Sequence, residues 1–290
     1  MRALLTRAAA LAFLLFATPL AAQAAPALWE VSDTDSKVFL FGSVHVLPVA
    51  TQWRTPAFDA TLAGASKVYF EADIGLFSQI FLAFQMVTSA VNASGVHWSD
   101  QLTADEATAV DTALRQQGMT LESAQAYRPW FLTLLLQGRA ITQSTANMGA
   151  GVEVTVQRDL DRNRMAFLET ASQQIAIFSG MSDALQLRML AGTAAQTNLA
   201  PDMLLDMVEV WNSGDEAKML EAVSSDPDIS EAEVMKALLI DRNASWISPI
   251  EAMLARNEQN LIIVGAAHLV GDTGVVELLR AKGYSVRRVQ

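Results

Sequence analysis

The chain contains no cysteine. That excludes disulfides, zinc–thiolate sites, iron–sulfur clusters and a cysteine nucleophile. Histidine is scarce, with three copies, and the 20 lysines and arginines are outnumbered by 31 acids, for a net charge of −11. So acidic a chain is a poor partner for nucleic acid or an anionic membrane surface. It also lacks the Gly-x-Ser-x-Gly elbow, the phosphate-loop pattern, the His-Glu-x-x-His zincin helix and the dinucleotide glycine fingerprint. Repeats, low-complexity tracts and linkers are absent too, which points to a single domain over residues 25–290.

Residues 1–24 stand apart. Arg2 and Arg7 precede an apolar run over residues 8–20, and Ala22-Gln23-Ala24 supplies a small-x-small cleavage pattern. The segment reads as a secretory signal, since a membrane span needs roughly 20 apolar residues; a retained anchor is the alternative. With no cysteine after it, lipoprotein attachment is excluded. The expectation is a mature protein of the Gram-negative periplasm with no stable membrane insertion.

Two of the three histidines share one local context. Leu261-Ile262-Ile263-Val264-Gly265-Ala266-Ala267-His268 is four branched aliphatics, a glycine, two small residues and a histidine. Val38-Phe39-Leu40-Phe41-Gly42-Ser43-Val44-His45 repeats the plan near the other end. Apolar runs of this kind read as strands buried on both faces, and the small residues let the chain turn as each strand ends. Ligands of open α/β sheets bind beyond the strands' C-terminal ends, so one site built from both ends of the chain is expected. A lone histidine in that place is otherwise a hydrogen-bonded structural residue.

Other segments add acids to the same edge. Leu28-Trp29-Glu30-Val31 and residues 37–41 flank the turn-forming Ser32-Asp33-Thr34-Asp35-Ser36 and read as a β-hairpin. Residues 67–73 form a strand with Glu71 at its tip, expected beside the His45 strand as a parallel neighbour. Residues 165–170 form another, ending in Glu169. Glu153 follows Gly149-Ala150-Gly151 at a helix start, where it either points inward or is a solvated residue. Thr103 and Glu106 spell a capping box, opening helices that run to about residue 143 with breaks near Gly118 and Pro129. Trp130 reads as core. His97 has no metal-ligand neighbour and is unassigned. The apolar segment 76–91 is a buried helix, a partner-binding helix or a lid. Asp241-Arg242-Asn243-Ala244-Ser245-Trp246 stands out before the final motif. The fold expected is α/β (α+β), a central mixed, partly parallel sheet with a large helical insertion over roughly 76–160 and 171–257.

Two imidazoles with one or two carboxylates are a ligand set for a divalent metal such as Zn, Mn, Fe or Co. The strand tips offer His45, His268, Glu71 and Glu169 as candidate ligands. Bound metal would lower the pKa of water towards ~7. A carboxylate not on the metal could be the general base, and Arg242 could hold a substrate carboxylate or an oxyanion. Ser43 beside His45 has no turn to activate it and reads as a small packing residue.

These residues carry a resemblance. Gly42-Ser43-Val44-His45, the Glu71 strand, Arg128-Pro129-Trp130-Phe131, Leu168-Glu169-Thr170, Asp241-Arg242-Asn243 and Val264-Gly265-Ala266-Ala267-His268-Leu269-Val270-Gly271 resemble, in order, the TraB/GumN family, which includes the Tiki metalloproteases. The resemblance covers nearly the whole mature chain. It implies an α/β core with two Gly-x-x-His motifs meeting around a metal and, for the Tiki branch, Mn- or Co-dependent peptidase activity. It carries roles onto His45, Glu71 and His268, and onto Arg242 and Asn243; Glu153 and Glu169 match looser acidic positions. Two readings follow: a periplasmic metal-dependent hydrolase of the peptidase kind, with a peptide or small-molecule substrate; and a non-catalytic protein that sequesters a peptide or small ligand between the sheet edge and the helical insertion. Oligomeric state is not legible.

Overall fold

The structure, a computed structural model, describes residues 24–290 except 74–84, 87, 94, 197–199, 227–228 and 230. The signal read over residues 1–24 lies outside them but for Ala24, as does most of the apolar segment 76–91 and its three alternatives. Among the described residues no helix is long and apolar enough to cross a membrane.

A mixed sheet organises the described chain. Its strands are β1 (Leu28–Ser32), β2 (Lys37–Ser43), β4 (Val68–Phe70), β6 (Met165–Phe167), β7 (Leu261–Gly265) and β8 (Ser285–Arg288), while β3 (Leu47–Pro48) and β5 (Ala146–Asn147) form a separate two-stranded pair. The sheet order is β6-β4-β7-β2-β1-β8. The pairs β6–β4, β4–β7 and β7–β2 are parallel; β2–β1 and β1–β8 are antiparallel. The hairpin and the partly parallel sheet are as expected from the sequence.

One expectation is corrected: β2 and β4 point the same way but are not neighbours, because β7 lies between them. The physical reason is burial. Leu261, Ile262, Ile263 and Val264 are each almost fully buried, so this strand takes the centre, where both faces are covered. The insertion brings the two Gly-x-x-His strands side by side, with Gly42 opposite Val264 and Ser43 opposite Gly265. It also sets the second motif between His45 and Glu71.

Alternate side chains of each strand enter different cores, as a period of two demands. Phe39, Phe41, Val68, Phe70, Leu261 and Ile263 pack on one face with Trp53, Phe58 and Trp211. Leu40, Ile262 and Val264 pack on the other with Trp246, Ile250 and Val275. Helices Asp241–Ala255 and Val275–Ala281 therefore cover that second face.

The helical stretches between strands follow their sequence signals. Thr103 and Glu106 make the capping box of helix Ala104–Arg115, and Pro129 opens helix Pro129–Gln143. Gly118 and Gly214 lie in the left-handed region, where a glycine ends a helix without steric cost. A satellite core of Trp98, Val110, Leu114, Leu132, Leu136, Leu187 and Leu190 joins three of these helices away from the sheet. Trp130 is core, in a small cluster with Ala90 and Ile175.

Candidate functional site

The loop after β2 is held against the start of helix Val152–Asp159. The Val152 N–H donates to the Val44 carbonyl at 3.1 Å. A Cβ on Gly151 would sit 2.0 Å from the His45 carbonyl oxygen, so this close approach admits only glycine. The helix thereby delivers Glu153, 7% exposed, beneath His45. Glu153 Oε1 meets His45 Nδ1 at 3.1 Å and accepts a hydrogen bond from Ser43 Oγ. The His45 side chain is 66% exposed. Coulombic attraction to Glu153 raises its pKa to about 9 against the opposing effect of burial, and water around the open ring screens part of that pull. Burial pushes the Glu153 carboxyl up, but His45 and the Ser43 hydroxyl pull it below the ordinary value. Of its two sequence alternatives, Glu153 takes the inward one.

The second tip is different. After β7 the chain enters a short 3₁₀ turn, Ala266–Leu269, which places His268 inward at 4% exposure. Asn243 donates from Nδ2 to the Thr273 carbonyl at 2.9 Å, so its Oδ1 faces His268 Nδ1, 2.6 Å away. That nitrogen must carry the proton, leaving Nε2 to accept from Arg242 Nη1 at 3.0 Å. Burial is the main cause that lowers the His268 pKa to about 4, and the imidazole is neutral at pH 7. Trp246 lies against the ring with centroids 4.5 Å apart.

Arg242 is the hub of this buried network. It stands on helix Asp241–Ala255 directly after a π-helical turn, Lys236–Ile240, whose Leu238 carbonyl accepts from Nη1 at 3.1 Å. Nε and Nη2 clasp Glu169 at 2.8 and 2.9 Å, and Nη2 also donates to Glu71 Oε2 at 2.6 Å. All five guanidinium N–H donors are engaged. The charged plane lies over Trp246, 5.0 Å from the ring centroid, and the Trp246 indole N–H donates to Glu169 Oε1 at 3.1 Å.

Glu71 and Glu169 reach this hub because their backbones extend a parallel ladder: the Glu169 N–H donates to the Glu71 carbonyl at 2.8 Å. Glu71 Oε1 accepts from the Gly265 N–H at 2.7 Å, tying β4 to the glycine of the second motif. Burial pushes the Glu71 carboxyl up, but His268, Arg242, His45 and the Gly265 N–H together bring it down to about 2. With His268 neutral at pH 7, Arg242, His45 and the Gly265 N–H keep it ionised there.

The seven candidates thus divide into two groups. Glu71, Glu169, Arg242, Asn243 and His268 form one buried hydrogen-bonded network; His45 and Glu153 form an open pair beside it, coupled to Glu71 and His268 through charge. Ser43, Trp246 and the Leu238 carbonyl were not singled out as members. Trp246 was legible in hindsight, four residues beyond Arg242 on one helix face. The Leu238 carbonyl had no signal, since a π turn leaves no mark in the sequence.

A metal held by His45, His268 and Glu71 would need a ring nitrogen lone pair from each histidine and a carboxylate oxygen aimed at one point. Instead Arg242 occupies His268 Nε2, Asn243 occupies Nδ1, and both Glu71 oxygens accept hydrogen bonds. Among the described residues no three or more His, Asp or Glu are grouped to hold a metal ion. As arranged, the residues do not fit the ion that the resemblance implies.

An α/β sheet carrying paired Gly-x-x-His turns at adjacent strand tips, with an arginine-centred carboxylate network behind one of them, defines the class of protein. The chain belongs to the TraB/PrgY/gumN family, whose sequence model matches residues 27–288. No curated protein and no solved structure matches it.

Proposed function

We propose that this chain is an exported hydrolase in which His45 is the acid–base group, held by Glu153. The observation that carries the reading is the Glu153–His45 pair: a buried carboxylate fixes Nδ1 and leaves an open ring whose Nε2 makes no hydrogen bond or ion pair with a described residue. The substrate class is a peptide or a small ester or amide. In its neutral form His45 takes a proton at Nε2 from water as the water oxygen adds to the carbonyl carbon. The same proton then passes to the departing amine or alcohol, and the carbonyl–heteroatom bond breaks. Glu153 stabilises the imidazolium formed in between. Arg242 has no donor to spare for substrate, so its role is to keep Glu71, Glu169 and His268 in place.

The periplasmic location rests on the N-terminal pattern of Arg2, Arg7, the apolar run and Ala22-Gln23-Ala24. The metal-dependent form of the reaction, with Mn or Co favoured by the resemblance and Zn or Fe as alternatives, requires Arg242 to release His268.

A second reading, ligand sequestration without chemistry, is favoured by an apolar cavity beside the His45 loop. The test is a screen of peptide and ester hydrolysis by the mature protein, with elemental analysis, beside His45→Ala and His268→Ala. The acid–base reading expects turnover without stoichiometric metal, lost in His45→Ala, and a rate that rises with pH as His45 loses its proton. Stoichiometric metal lost in both variants would replace it with the metal-dependent form. Absence of turnover, with retained ligand binding in His45→Ala, would favour sequestration.

A further inference from the structure

A cavity of about 450 Å³ opens between the His45 loop and four helices, Pro129–Gln143, Asp183–Gln196, Ala200–Ser213 and Glu216–Ser225. Its wall on the sheet side is Val46, the residue after His45; Leu136, Ala140, Ile141, Met203 and Met207 are among the others. The volume lies within the ~300–1,000 Å³ typical of small-molecule sites. A dry cavity of ~150 Å³ already admits benzene, so this one has room for an aliphatic chain of roughly ten carbons or more. Methionines give its wall the adaptability that a flexible chain requires.

We propose that this cavity receives the aliphatic acyl chain of a neutral ester or amide whose carbonyl is presented to His45. The inference rests on the hydrolase reading and names its substrate class. Val46 supplies the continuity: the chain that carries the imidazole becomes the cavity wall one residue later. Charge supplies the choice between acyl derivative and free fatty acid, because the lining contains, among the described residues, no lysine, arginine or histidine to receive a carboxylate, and Asp206 adds a negative charge. Hydrolysis adds water across the acyl bond: hydroxyl to the carbonyl carbon, proton by way of His45 to the leaving alcohol or amine. The acid released is anionic and finds no basic residue among the described residues of the same lining.

Two measurements test this. The first is fluorescence titration with the neutral apolar probe N-phenyl-1-naphthylamine, displaced by alkyl amides of increasing length. The second is kcat/KM for p-nitrophenyl esters from acetate to dodecanoate. Wild type and His45→Ala should bind the probe equally, and displacement should strengthen by roughly fourfold per methylene until the cavity is full. Ala222→Phe, which fills the cavity, should weaken the probe by at least tenfold and shift the preferred chain shorter; Ile141→Ala should shift it longer. The opposite directions separate a cavity effect from a folding defect. No probe binding, a profile flat in chain length, or an optimum unmoved in both variants would overturn the proposal. Length-dependent displacement without ester hydrolysis would uphold the cavity's ligand class and count against the hydrolase reading alone.

Discussion

The two Gly-x-x-His turns lie on adjacent parallel strands, yet their histidines end in opposite states. His45 is 66% exposed and, drawn by Glu153, holds its proton more tightly than a free imidazole. The His268 side chain is 5% exposed, neutral, and fixed at both nitrogens by Asn243 and Arg242. The same local plan therefore yields one group poised to exchange protons and one locked against it. A strand tip presents a side chain; its neighbours decide what that side chain can do.

Removing Arg242 should break the locked side most severely. Arg242→Met leaves Glu71 and Glu169 as buried carboxylates without their cation and should cost about 3–5 kcal/mol by urea unfolding. Arg242→Lys should not recover the loss, because an ammonium cannot supply five donors in one plane. A loss under about 1 kcal/mol in Arg242→Met would show that the network contributes little.

Acid should come next. The His268 pKa is depressed when folded, so its stabilisation is whole above 6.5, the unfolded value, and is lost as pH falls through about 4, in all about 3 kcal/mol. Glu71, depressed to about 2, adds a second decline as pH falls from 4.5. His268→Gln should flatten the decline between pH 6.5 and 4, measured by unfolding at each pH, and also shrink the lower one, because His268 is among the groups that hold the Glu71 carboxyl down. His45 has the opposite sign: its contribution is present below 6.5 and lost as pH rises through its raised pKa. Ring-proton NMR should accordingly find two of the histidines titrating on opposite sides of 6.5.

Gly151→Ala should strike the open tip. The added methyl meets the His45 carbonyl and must displace the loop or the helix carrying Glu153. The expected cost is about 1–3 kcal/mol with loss of any His45-dependent turnover, measured beside a His268 titration that stays unchanged. The mildest change is Glu153→Gln. It should bring the His45 pKa back towards 6.5 in an NMR titration with little effect on the melting temperature, and an unmoved pKa would mean that Glu153 does not govern the ring.

Much of the scaffold was readable because its signals are local. Four consecutive branched aliphatics mark β7, Thr103 and Glu106 cap their helix, and Gly214 ends another, each through interactions within a few residues. The histidines and Glu71 stood out as residues following apolar runs. The lateral order of strands was not legible in the same way: the sequence suggested β4 beside β2, whereas the more apolar β7 claimed the place between them.

The family, the strands and the residues worth watching were determined by the sequence itself, since motif order and alternation are properties of the chain read in line. Which histidine is open, and that Arg242 faces inward to two glutamates and an imidazole, only the tertiary structure decided. Those outcomes join residues as distant as Glu71 and Arg242, or Ser43 and Glu153, and depend on a π turn and a glycine contact that set side chains to within an ångström. Charge and burial act through that spacing, so the same histidine motif acquires two chemistries.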